Sequence, residues 1–457
     1  MNLLRALRTG PRSQMAFTGA GGKTTAVFSL ARELVGEAGT VLVTTTTHFG
    51  VDQVRLGDMH IAASGPEEVV AALEGVEGVV VVTSGREDEG RTTGIDLRIA
   101  EELAEFAQRR GLPLLVEADG SRMRPLKAPA AHEPVVPDFV EAVVVCAGLS
   151  GLGKPVGAEW VHRPERFGEL AGLAHGAPVT AAALAAVLRS ADGGLKGAPA
   201  GARAIALLNQ ADTAGLQAQG RRIAGEILGD FDAVLVAALA EGEVYAVHEP
   251  AAGIVLAAGG STRMGRPKPL LDWGGGPLVA HVAGLALAAG CDPVFVVTGA
   301  EGEAVKAAVA DLPVRVVHNP DWREGQSSSV RAGLREASRA GGASSARGTA
   351  GSGKVGSCGS AMFLLVDQPF VEATMIRKLI ETHAASLAPI VAPLIRGQRG
   401  NPVLFDRATF PEFEGLTGDS GGRALFARHR VEWVEWHDER ALQDLDTEAD
   451  YTDLGGL

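Results

Sequence analysis

The chain of 457 residues has little cysteine, no excess of positive charge and no long apolar run, and each absence excludes a class of protein. Its three cysteines, Cys146, Cys291 and Cys358, lie far apart without metal-like spacing, which argues against a disulfide framework or a zinc site. A formal net charge of −13 argues against a general binder of nucleic acid or membrane surfaces. We therefore expect no nucleic-acid and no membrane partner.

The sequence also predicts no membrane-spanning segment and no secretory signal. No apolar run reaches membrane-spanning length, and the segment Met1 to Arg12 is too short and too charged for a secretory signal. A hydrophobic content of 46% and a charged content of 21% are typical of globular proteins, and the length predicts two or three domains. We expect a cytoplasmic protein.

Short apolar runs alternate with amphipathic stretches along the whole chain, which predicts parallel sheets covered by helices on both faces. The predicted strands are Gln14–Thr18, Thr40–Thr44, Val79–Thr83, Leu112–Ala118, Ala142–Ala147, Arg203–Leu208, Asp232–Ala237, Gly253–Ala257, Pro293–Thr298, Val314–His318, Ala361–Val366, Pro389–Pro393 and Val431–Trp436. The predicted helices include Thr24–Gly36, Ile95–Arg110, Pro277–Ala289 and Gln326–Arg339.

The strands form two series, each of which begins with a strand and a glycine-rich loop. We therefore predict an α/β protein with two doubly wound, mostly parallel-sheet domains, 1–248 and 253–457, joined by a connector near His248–Ala252. A Gly/Ser tract at 340–360 cannot bury enough apolar surface to offset its ordering entropy, so it predicts a mobile insert in the second domain. A functional lid is the alternative for that tract.

The segment Ile254–Leu271 carries the strongest chemical signal. An apolar strand leads into a loop with Gly259 and Gly260, followed by Arg263 and Lys268. Glycines let the backbone approach a ligand with its N–H groups, and the two cations supply the charge that a triphosphate needs. The alternative is an ordinary surface turn, but this order of strand, loop, Arg and Lys favours phosphate binding.

Polar segments follow in a consistent order. Asn319–Arg331 is a serine-containing loop that leads into a helix, where anions are favoured. Asp367 ends a buried strand, a position at which open α/β sheets bind nucleotides and their metal ions. Leu416–Arg423 is predicted as a loop entering a helix, and Gln443–Tyr451 as an acidic strand end with Thr447 capping a last helix. Each acidic residue taken singly is also explained as a cap.

These motifs together resemble the molybdenum cofactor nucleotidyltransferases, and most closely their cytidylyltransferase (MocA-type) branch, over about 253–454. The resemblance implies a Mg²⁺-dependent transfer of CMP from CTP to molybdenum-bound molybdopterin, with release of pyrophosphate. The guanylyl branch usually has Ala-Gly-Gly where this chain has Ala257-Ala258-Gly259, which favours cytosine. The alternatives are guanylyl transfer, a sugar-phosphate or methylerythritol-phosphate acceptor, and a nucleotide-switched cofactor chaperone.

The resemblance also implies roles for individual residues. Arg263, Lys268 and Asp367 would be catalytic, with Asp367 and Asp446 as the metal ligands and Asp444 as a weaker candidate. The nucleotide would contact Ala257, Ala258, Gly259, Gly260, Ser261, Arg263, Lys268, Ser327 and Ser328. The pterin end would be formed by Gly418, Asp419, Gly421, Gly422 and Arg423.

A second glycine-rich loop, Phe17–Thr25, follows the first predicted strand and opens a helix, which is the context of a P-loop. The predicted phosphate-binding residues are Gly19, Gly21, Gly22, Lys23, Thr24 and Thr25, together with Asp119 as the acid at the end of a later strand, favoured over Glu117. The usual first glycine is replaced by Phe17, and the alternative is an ordinary helix N-terminus. We predict that ATP or GTP binds here; Asn209–Asp212 only partly matches a guanine-binding motif.

This loop, Thr44–His48 and the segment Glu117–Pro129 resemble the putative selenium-dependent hydroxylase accessory proteins (YqeC-like) over about 13–246. The resemblance implies a role in maturing molybdenum hydroxylases and therefore a hydroxylase client. It names no reaction for this domain.

Overall fold

The computed structural model describes residues 1–63, 65–73, 75–84, 87–88, 90–260, 264–339 and 358–454. These residues form two compact units, Met1–His248 and a second unit that begins at Glu249. Within the described ranges, no helix combines the length and the apolar character needed to cross a membrane.

The first unit alternates strands and helices. Its strands are β1 Gln14–Gly19, β2 Thr40–Thr45, β3 His48–Gly50, β4 Met59–Ala62, β5 Gly78–Thr83, β6 Glu87–Asp88, β7 Arg91–Thr93, β8 Leu114–Glu117, β9 Leu126–Lys127, β10 Ala142–Gly148, β11 Val161–His162, β12 Arg203–Asn209, β13 Ala233–Ala238 and β14 Glu243–His248. Its helices are α1 Leu3–Leu7, α2 Lys23–Ala38, α3 Val51–Val54, α4 Pro66–Ala72, α5 Leu97–Arg110, α6 Pro164–Ala171, α7 Ala181–Arg189 and α8 Ala214–Ile227.

A nine-stranded sheet organises the first unit, in the order β14-β13-β12-β10-β1-β8-β2-β5-β4. Neighbouring strands are parallel except for β14, which runs antiparallel to β13 at one edge. The carboxyl ends of β1 and β8 therefore lie side by side. This places the glycine-rich loop after β1 next to the acidic residues at the end of β8.

Helix α2 fixes the direction of the loop that precedes it. Its apolar residues Ala26, Val27, Leu30, Ala31 and Leu34 recur at helical spacing and are fully buried, and the helix packs on β2 and β8. This apolar stripe holds α2 on the sheet. The helix begins at Lys23, shortly after the carboxyl end of β1, so the loop between them has a fixed position.

The second unit also alternates strands and helices. Its strands are β15 Ala251–Ala257, β16 Val294–Thr298, β17 Arg315–His318, β18 Ser360–Leu365, β19 Ile390–Ile395, β20 Gln398–Arg399, β21 Val403–Asp406 and β22 Val431–Trp436. Its helices are α9 Leu278–Ala288, α10 Gly302–Ala308, α11 Gln326–Arg339, α12 Ala373–Ser386, α13 Phe410–Phe413 and α14 Glu448–Asp453.

The central strands of the second sheet, β15, β16 and β18, are buried on both faces. The order of this sheet is β17-β16-β15-β18-β21-β19-β20, with β22 beside β19. Alternate residues of β15 enter different cores: Ile254 packs with Leu334 of α11, and Val255 packs with Val282 of α9. Helices therefore cover both faces, and the predicted α/β architecture built on parallel strands is confirmed for both units.

The second sheet is mostly parallel, as predicted, but contains antiparallel strands that the sequence did not indicate. Strand β21 runs antiparallel to both β18 and β19. Only a short segment containing β20 separates β19 from β21, whereas a parallel crossover needs a dozen or more residues. The short connection therefore imposes the antiparallel direction.

Every predicted strand is present, with ends that differ by at most two residues, and the units divide within the predicted connector, but two local predictions are wrong. The connector is short, since β14 continues to His248 and β15 begins at Ala251. Cys358 is buried and Ser360 starts β18, so the end of the Gly/Ser tract belongs to the core; residues 340–357 lie outside the described residues. Gln443–Asp446 forms no strand, although Thr447 does cap the last helix.

Candidate functional site

The candidate site of the second unit lies where the strand order reverses. Strand β15 is flanked by β16 on one side and by β18 on the other, and both are parallel to it. The chain passes from β15 to β16 and β17, and then returns to β18. Open α/β sheets bind ligands in the crevice outside the carboxyl ends of the strands at such a point.

The glycine-rich loop begins at this reversal. Ala258 is buried, whereas Gly259 and Gly260 are exposed. A side chain at Gly260 would begin 3.2 Å from the ring of Trp322, and one at Gly299 would begin 2.5 Å from the carbonyl oxygen of Ala258. Close packing therefore fixes the path of the loop up to Gly260. The predicted contacts Ser261 and Arg263 lie outside the described residues, as does Thr262.

Lys268 lies between two carboxylates. Its Nζ is 3.0 Å from Oδ2 of Asp367 and 2.8 Å from Oδ1 of Asp446, although 178 residues separate Lys268 from Asp446 in the chain. Burial alone would lower the pKa of Lys268, but its hydrogen bonds and proximity to Asp446 and Asp367 raise that pKa above the ordinary value. The ammonium is therefore charged and held in place.

The two carboxylates on Lys268 suit a magnesium ion. Mg²⁺ is usually bound by one or two carboxylates, with substrate phosphates and water completing its shell. Within the described ranges no group of three or more His, Cys, Asp or Glu residues could hold a metal by itself. Asp367 and Asp446 fit an ion that arrives with a nucleotide, rather than a closed protein site.

Asp444 and Gln368 form a neighbouring pair. Gln368 Nε2 donates to Oδ1 of Asp444 at 2.7 Å, and the other amide atom, Oε1, is buried without a hydrogen-bond partner. Burial raises the pKa of Asp444, and the nearby charges of Asp367 and Asp446 raise it further against the opposing hydrogen bond. The order of motifs in the sequence did not predict this contact.

The backbone of Asp446 is fixed by the last helix. Asp450 accepts hydrogen bonds from the backbone N–H of Asp446 at 3.1 Å and from that of Thr447 at 2.7 Å, and Thr447 in turn caps α14. The capping box thus sets the position of a candidate metal ligand. The predicted cap is confirmed, but its link to Asp446 was not visible in the sequence.

The predicted serines support a loop instead of lying open to solvent. Asn319 Nδ2 donates to the hydroxyl of Ser328 at 2.9 Å and to that of Ser329 at 3.0 Å. The hydroxyl of Ser327 is buried and has no hydrogen-bond partner. The Asn319 amide therefore ties the loop after β17 to the start of α11.

The segment predicted to form the pterin end covers the start of α11. Asp419 accepts from the N–H of Gln326 at 3.1 Å, and the carbonyl of Gly418 accepts from the N–H of Ser327 at 3.0 Å. These two groups of the protein accept hydrogen bonds from N–H groups at the start of α11, where the sequence predicted that an anion would bind. The structure thus brings the two predicted segments into direct contact.

The loop leads into a 3₁₀ helix, Gly421–Ala427, so the predicted helix is present in the tighter 3₁₀ form. A side chain at Gly422 would begin 2.5 Å from the ring of Phe405, so glycine is required there. The side chain of Arg423 is exposed.

In the first unit, the glycine-rich loop packs tightly against the end of β10. Gly19, Gly21 and Gly22 have φ values of 88°, 76° and 113°, which disfavour other residues. Side chains at Gly19 and Gly21 would begin 2.2 Å from the backbone of Cys146 and Gly148, respectively. The loop is therefore built from glycine for reasons of space and conformation together.

A chain of alternating charges leads away from this loop. Lys23 Nζ donates to the carbonyl of Gly19 at 2.7 Å and lies 3.3 Å from Oδ1 of Asp119. Lys127 joins Asp119 at 2.7 Å to Glu133 at 2.8 Å. Burial alone would raise the pKa of Glu133, but hydrogen bonds from Arg163 and Lys127 lower it to about 2. The sequence did not predict Lys127 as part of this site.

Thr24 is paired with Glu117 and not with Asp119. Its hydroxyl donates to Oε2 of Glu117 at 3.0 Å and accepts from Nε2 of Gln53 at 2.7 Å. Burial raises the pKa of Glu117 against the nearby positive charge of Lys23. Thr25 is exposed beside it.

The segment Asn209–Asp212, which partly matches a guanine-binding motif, stabilises the glycine-rich loop of the first unit. Asn209 Nδ2 donates to the carbonyl of Gly21 at 2.8 Å, and its Oδ1 accepts from the N–H of Leu239 at 3.0 Å. Gln210 accepts from the hydroxyl of Ser150 at 2.6 Å, and Asp212 is exposed. Asn209 therefore joins the glycine-rich loop to the segment after β13.

Comparisons with known proteins give one family match within each of the two units. Residues 253–433 match the MobA-like NTP transferase domain, and residues 15–165 match the YqeC protein family. Nicotine blue oxidoreductase of Paenarthrobacter nicotinovorans is 32% identical over 206 residues, which is 43% of this chain and 91% of that protein.

Two further relatives cover the two units separately. The uncharacterized protein YqeC of Escherichia coli strain K12 is 32% identical over 208 residues, which is 43% of this chain and 75% of that protein. A probable molybdenum cofactor guanylyltransferase of Mycobacterium avium is 27% identical over 203 residues, covering 44% of this chain and 92% of that protein. The chain is thus a nucleotidyltransferase that belongs to the YqeC family in its first unit and to the MobA-like NTP transferase family in its second.

Proposed function

We propose that the second unit is a molybdenum cofactor cytidylyltransferase, which transfers CMP from CTP to molybdenum-bound molybdopterin and releases pyrophosphate. The observation that carries the proposal is Lys268, held between Asp367 and Asp446 beside the glycine-rich loop at the strand reversal. The relative from Mycobacterium avium supports the class of acceptor, and its name refers to guanylyl transfer. Ala258 supports our choice of cytosine.

The reaction joins two anions, so positioning and charge neutralisation dominate it. A phosphate oxygen of the cofactor attacks the α-phosphorus of CTP, the bond from that phosphorus to the β-phosphate oxygen breaks, and pyrophosphate leaves. Lys268 and Arg263 bind the phosphates and stabilise the charge that develops on them. Asp367 and Asp446 would hold Mg²⁺, which would supply further neutralising charge on the triphosphate.

The surrounding segments shape the cleft. The backbone from Ala257 to Ser261 contacts the nucleotide, and Ser327 and Ser328 stabilise the neighbouring loop. Segment 418–423, docked on the start of α11, forms the end of the cleft that accepts the pterin. Glycine at 260 and 422 leaves no side chain in the way.

The first unit, in our proposal, binds ATP or GTP at its glycine-rich loop through Gly19, Gly21, Gly22, Lys23, Thr24 and Thr25. Its buried lysine and the carboxylates at the end of β8 support this assignment. The whole chain then supports the maturation of a molybdenum hydroxylase, which would be its protein client.

Mass analysis of the pterin product tests the transferase proposal. The protein is incubated with purified molybdenum cofactor, Mg²⁺ and each of the four NTPs in turn. We expect a cytidylylated pterin and pyrophosphate with CTP, both formed about 100-fold more slowly by the Asp367→Asn variant. A modified sugar phosphate or methylerythritol phosphate in parallel reactions, with an unmodified pterin, would assign another acceptor.

Two further results would refute the transferase assignment. Nucleotide binding without pyrophosphate release under any of these conditions would favour a carrier that uses nucleotide only as a switch. Because one relative is named as an oxidoreductase, the same preparation is also tested for NAD(P)H oxidation. Redox turnover without nucleotidyl transfer would assign the second unit to that activity.

Nucleotide titration of the full chain tests the proposal for the first unit. We expect Lys23→Ala to remove one ATP- or GTP-binding site while Asp367→Asn leaves that site unchanged, because the two residues belong to different sheets. Equal binding by the Lys23→Ala protein would show that the loop is an ordinary helix N-terminus.

A further inference from the structure

Strand β20 carries Arg399 to the edge of the second sheet at which the candidate site lies. Strand β21 is antiparallel to both β18 and β19, so β18 and β19 run in the same direction and end at the same edge. Strand β22 pairs with β19 over its whole length, so β20 lies along the other side of β19, which is the side that faces β18. Arg399 pairs there with Leu394, near the carboxyl end of β19.

Aromatic rings bring Arg399 next to Arg423. The guanidinium of Arg399 lies over Phe426, 4.6 Å from the ring centroid, and the ring of Phe426 lies 6.2 Å from that of Phe405. Gly422 lies against the same Phe405 ring, and Arg423 follows it directly in the chain. Burial lowers the pKa of Arg399, and the nearby charge of Arg423 lowers it further. The two guanidinium groups are therefore neighbours.

The two guanidinium groups lie close together without a carboxylate to separate them. Both side chains are exposed, and within the part of the chain that the structure describes neither forms an ion pair. Other arginines nearby in the chain do pair with a glutamate: Arg428 with Glu412, and Arg430 with Glu432. Arg399 and Arg423 thus present two uncompensated positive charges on a chain whose formal net charge is −13.

We propose that Arg399 and Arg423 together bind the phosphate group of the acceptor and hold it for attack on the α-phosphorus. This inference rests on the proposed nucleotidyl transfer to a phosphorylated acceptor. Planar guanidinium groups match the oxygen atoms of a phosphate, and two of them neutralise a dianion. They bind two of its three terminal oxygen atoms, which leaves the third free for the attack.

The place of the pair in the sheet suits the acceptor and not the triphosphate. Lys268, between Asp367 and Asp446, is the lysine proposed for the triphosphate. Arg423 belongs instead to the segment that docks on the start of α11, at the end of the cleft proposed for the pterin. Neighbouring strands lie about 5 Å apart, so a group on the β18 side of β19 is within reach of a phosphate bound near Asp367.

Binding of inorganic phosphate tests the pair without any reaction. The full chain is first saturated with Mg²⁺ and α,β-methylene CTP, which occupies the triphosphate site and releases no pyrophosphate. The corresponding GTP analogue is used in parallel, so the test does not depend on the choice of base. Phosphate is then titrated at constant ionic strength and followed by phosphorus nuclear magnetic resonance.

Arg399→Gln and Arg423→Gln should each weaken phosphate binding by about tenfold or more, the usual effect of removing a hydrogen bond to a charged group. The matched control is Arg430→Gln, at an exposed arginine of the same unit that has its own carboxylate. This control should leave the affinity for phosphate unchanged.

Steady-state kinetics provide the second measurement. With purified molybdenum cofactor as the varied substrate, Arg399→Gln and Arg423→Gln should each raise the KM for the acceptor by about tenfold, while the KM for CTP stays unchanged. Arg399→Lys keeps the charge but loses the planar set of donors, so it should recover only part of the affinity. A merely structural role would not separate the two KM values.

Arg423→Glu tests whether the two side chains face each other. The new carboxylate should pair with Arg399, so this variant should unfold at a temperature no lower than wild type and should bind no phosphate at the pair. Thermal unfolding also checks Arg399→Gln, which loses its contact with Phe426. If that variant is unfolded, Arg423→Gln decides the test.

The outcomes separate this inference from the proposed function. Unchanged phosphate affinity in both glutamine variants overturns the inference, even where cytidylyl transfer is intact. An equal rise of the KM for acceptor and for CTP would place the pair on the triphosphate and would also overturn it. If no acceptor receives a nucleotide, the proposed function fails, whereas phosphate binding that depends on both arginines would still confirm the anion site.

Discussion

At the scale of single residues, the sequence predicted the identity of the site residues more accurately than the contacts between them. Motif order identified Lys268, Asp367 and Asp446, and the structure joins all three. Glu117 and Asp119 were harder to separate because residues two apart at a strand end project to the same side. Only the folded position of Thr24 distinguishes them.

Asp367→Asn tests the charge at the candidate metal position. The change keeps the shape of the side chain but removes its negative charge, so kcat should fall by about 100-fold, equivalent to roughly 3 kcal/mol of transition-state stabilisation. Stability should change little, because Asp446 still pairs with Lys268. Steady-state pyrophosphate release and thermal unfolding measure the two effects.

The matched control for that change is Asp311→Asn, at an exposed position of the same unit. It should leave kcat unchanged. Near-normal Mg²⁺-dependent transfer by Asp367→Asn would remove Asp367 from the catalytic assignment and leave it as a residue that holds Lys268.

Glu133 provides a pH test within the first unit. Its pKa is lowered from 4.5 to about 2 in the folded protein, so its contribution to the free energy of unfolding is complete above pH 4.5 and is lost as the pH falls toward 2. Glu133→Gln leaves Arg163 without its counter-charge and Lys127 with Asp119 alone, and should destabilise the protein at pH 7 by on the order of 3 kcal/mol. Unfolding curves of both proteins across this pH range measure the difference.

The difference between wild type and Glu133→Gln should shrink as the pH falls from 4.5 toward 2. Glu159→Gln, at an exposed position, should show no such dependence. A destabilisation that stays constant from pH 7 to pH 2 would show that shape, and not charge, accounts for the effect.

At the scale of elements, apolar runs bounded by glycine predicted the buried strands well. The run from Ile254 to Ala257 and the strand before Asp367 are buried on both faces, where hydrophobicity alone determines the element. Strand β21 was missed because an apolar run this short, in a strand of four residues, does not distinguish a strand from a loop. The 3₁₀ form of the helix at 421–427 was not predicted, because periodicity does not distinguish it from an α-helix.

The capping box of α14 gives a prediction at this scale. Thr447→Ala removes the acceptor for the N–H of Asp450 and should lower stability by about 1 kcal/mol. Since Asp450 also holds the N–H of Asp446, the variant should need more Mg²⁺ for half-maximal transfer. Thermal unfolding and Mg²⁺ titration check both effects, and Thr382→Ala, in the middle of α12, is the control. If Thr447→Ala lowers stability but leaves the Mg²⁺ requirement unchanged, the capping box of α14 has only a structural role.

The Gly/Ser tract gives a second prediction. Replacing 341–356 by a short turn should leave both folding and transfer largely intact, because the entropy of closing a loop depends only weakly on its length. The deletion stops before Cys358, which is buried, and Gly359, which donates to the carbonyl of Pro250 at 2.9 Å. Circular dichroism and pyrophosphate release are the measurements. A large loss of transfer in a folded deletion protein would identify the tract as a working lid.

At the scale of the whole molecule, each unit has its own sheet, its own core and its own glycine-rich loop after a central strand. The sequence predicted this organisation because each series of strands restarts with the same strand-and-loop pattern. It did not predict the supporting contacts, such as those of Asn319 and Lys127, because these join segments that are distant in the chain.

The central claim is that the second unit transfers CMP, and the ratio of kcat/KM for CTP to that for GTP tests it most directly. The rates of pyrophosphate release are compared for the full chain with molybdenum cofactor and Mg²⁺, using Asp367→Asn as the blank. We predict a clear preference for CTP, together with a cytidylylated pterin in stoichiometric amount. Turnover with GTP that equals or exceeds turnover with CTP would contradict the account.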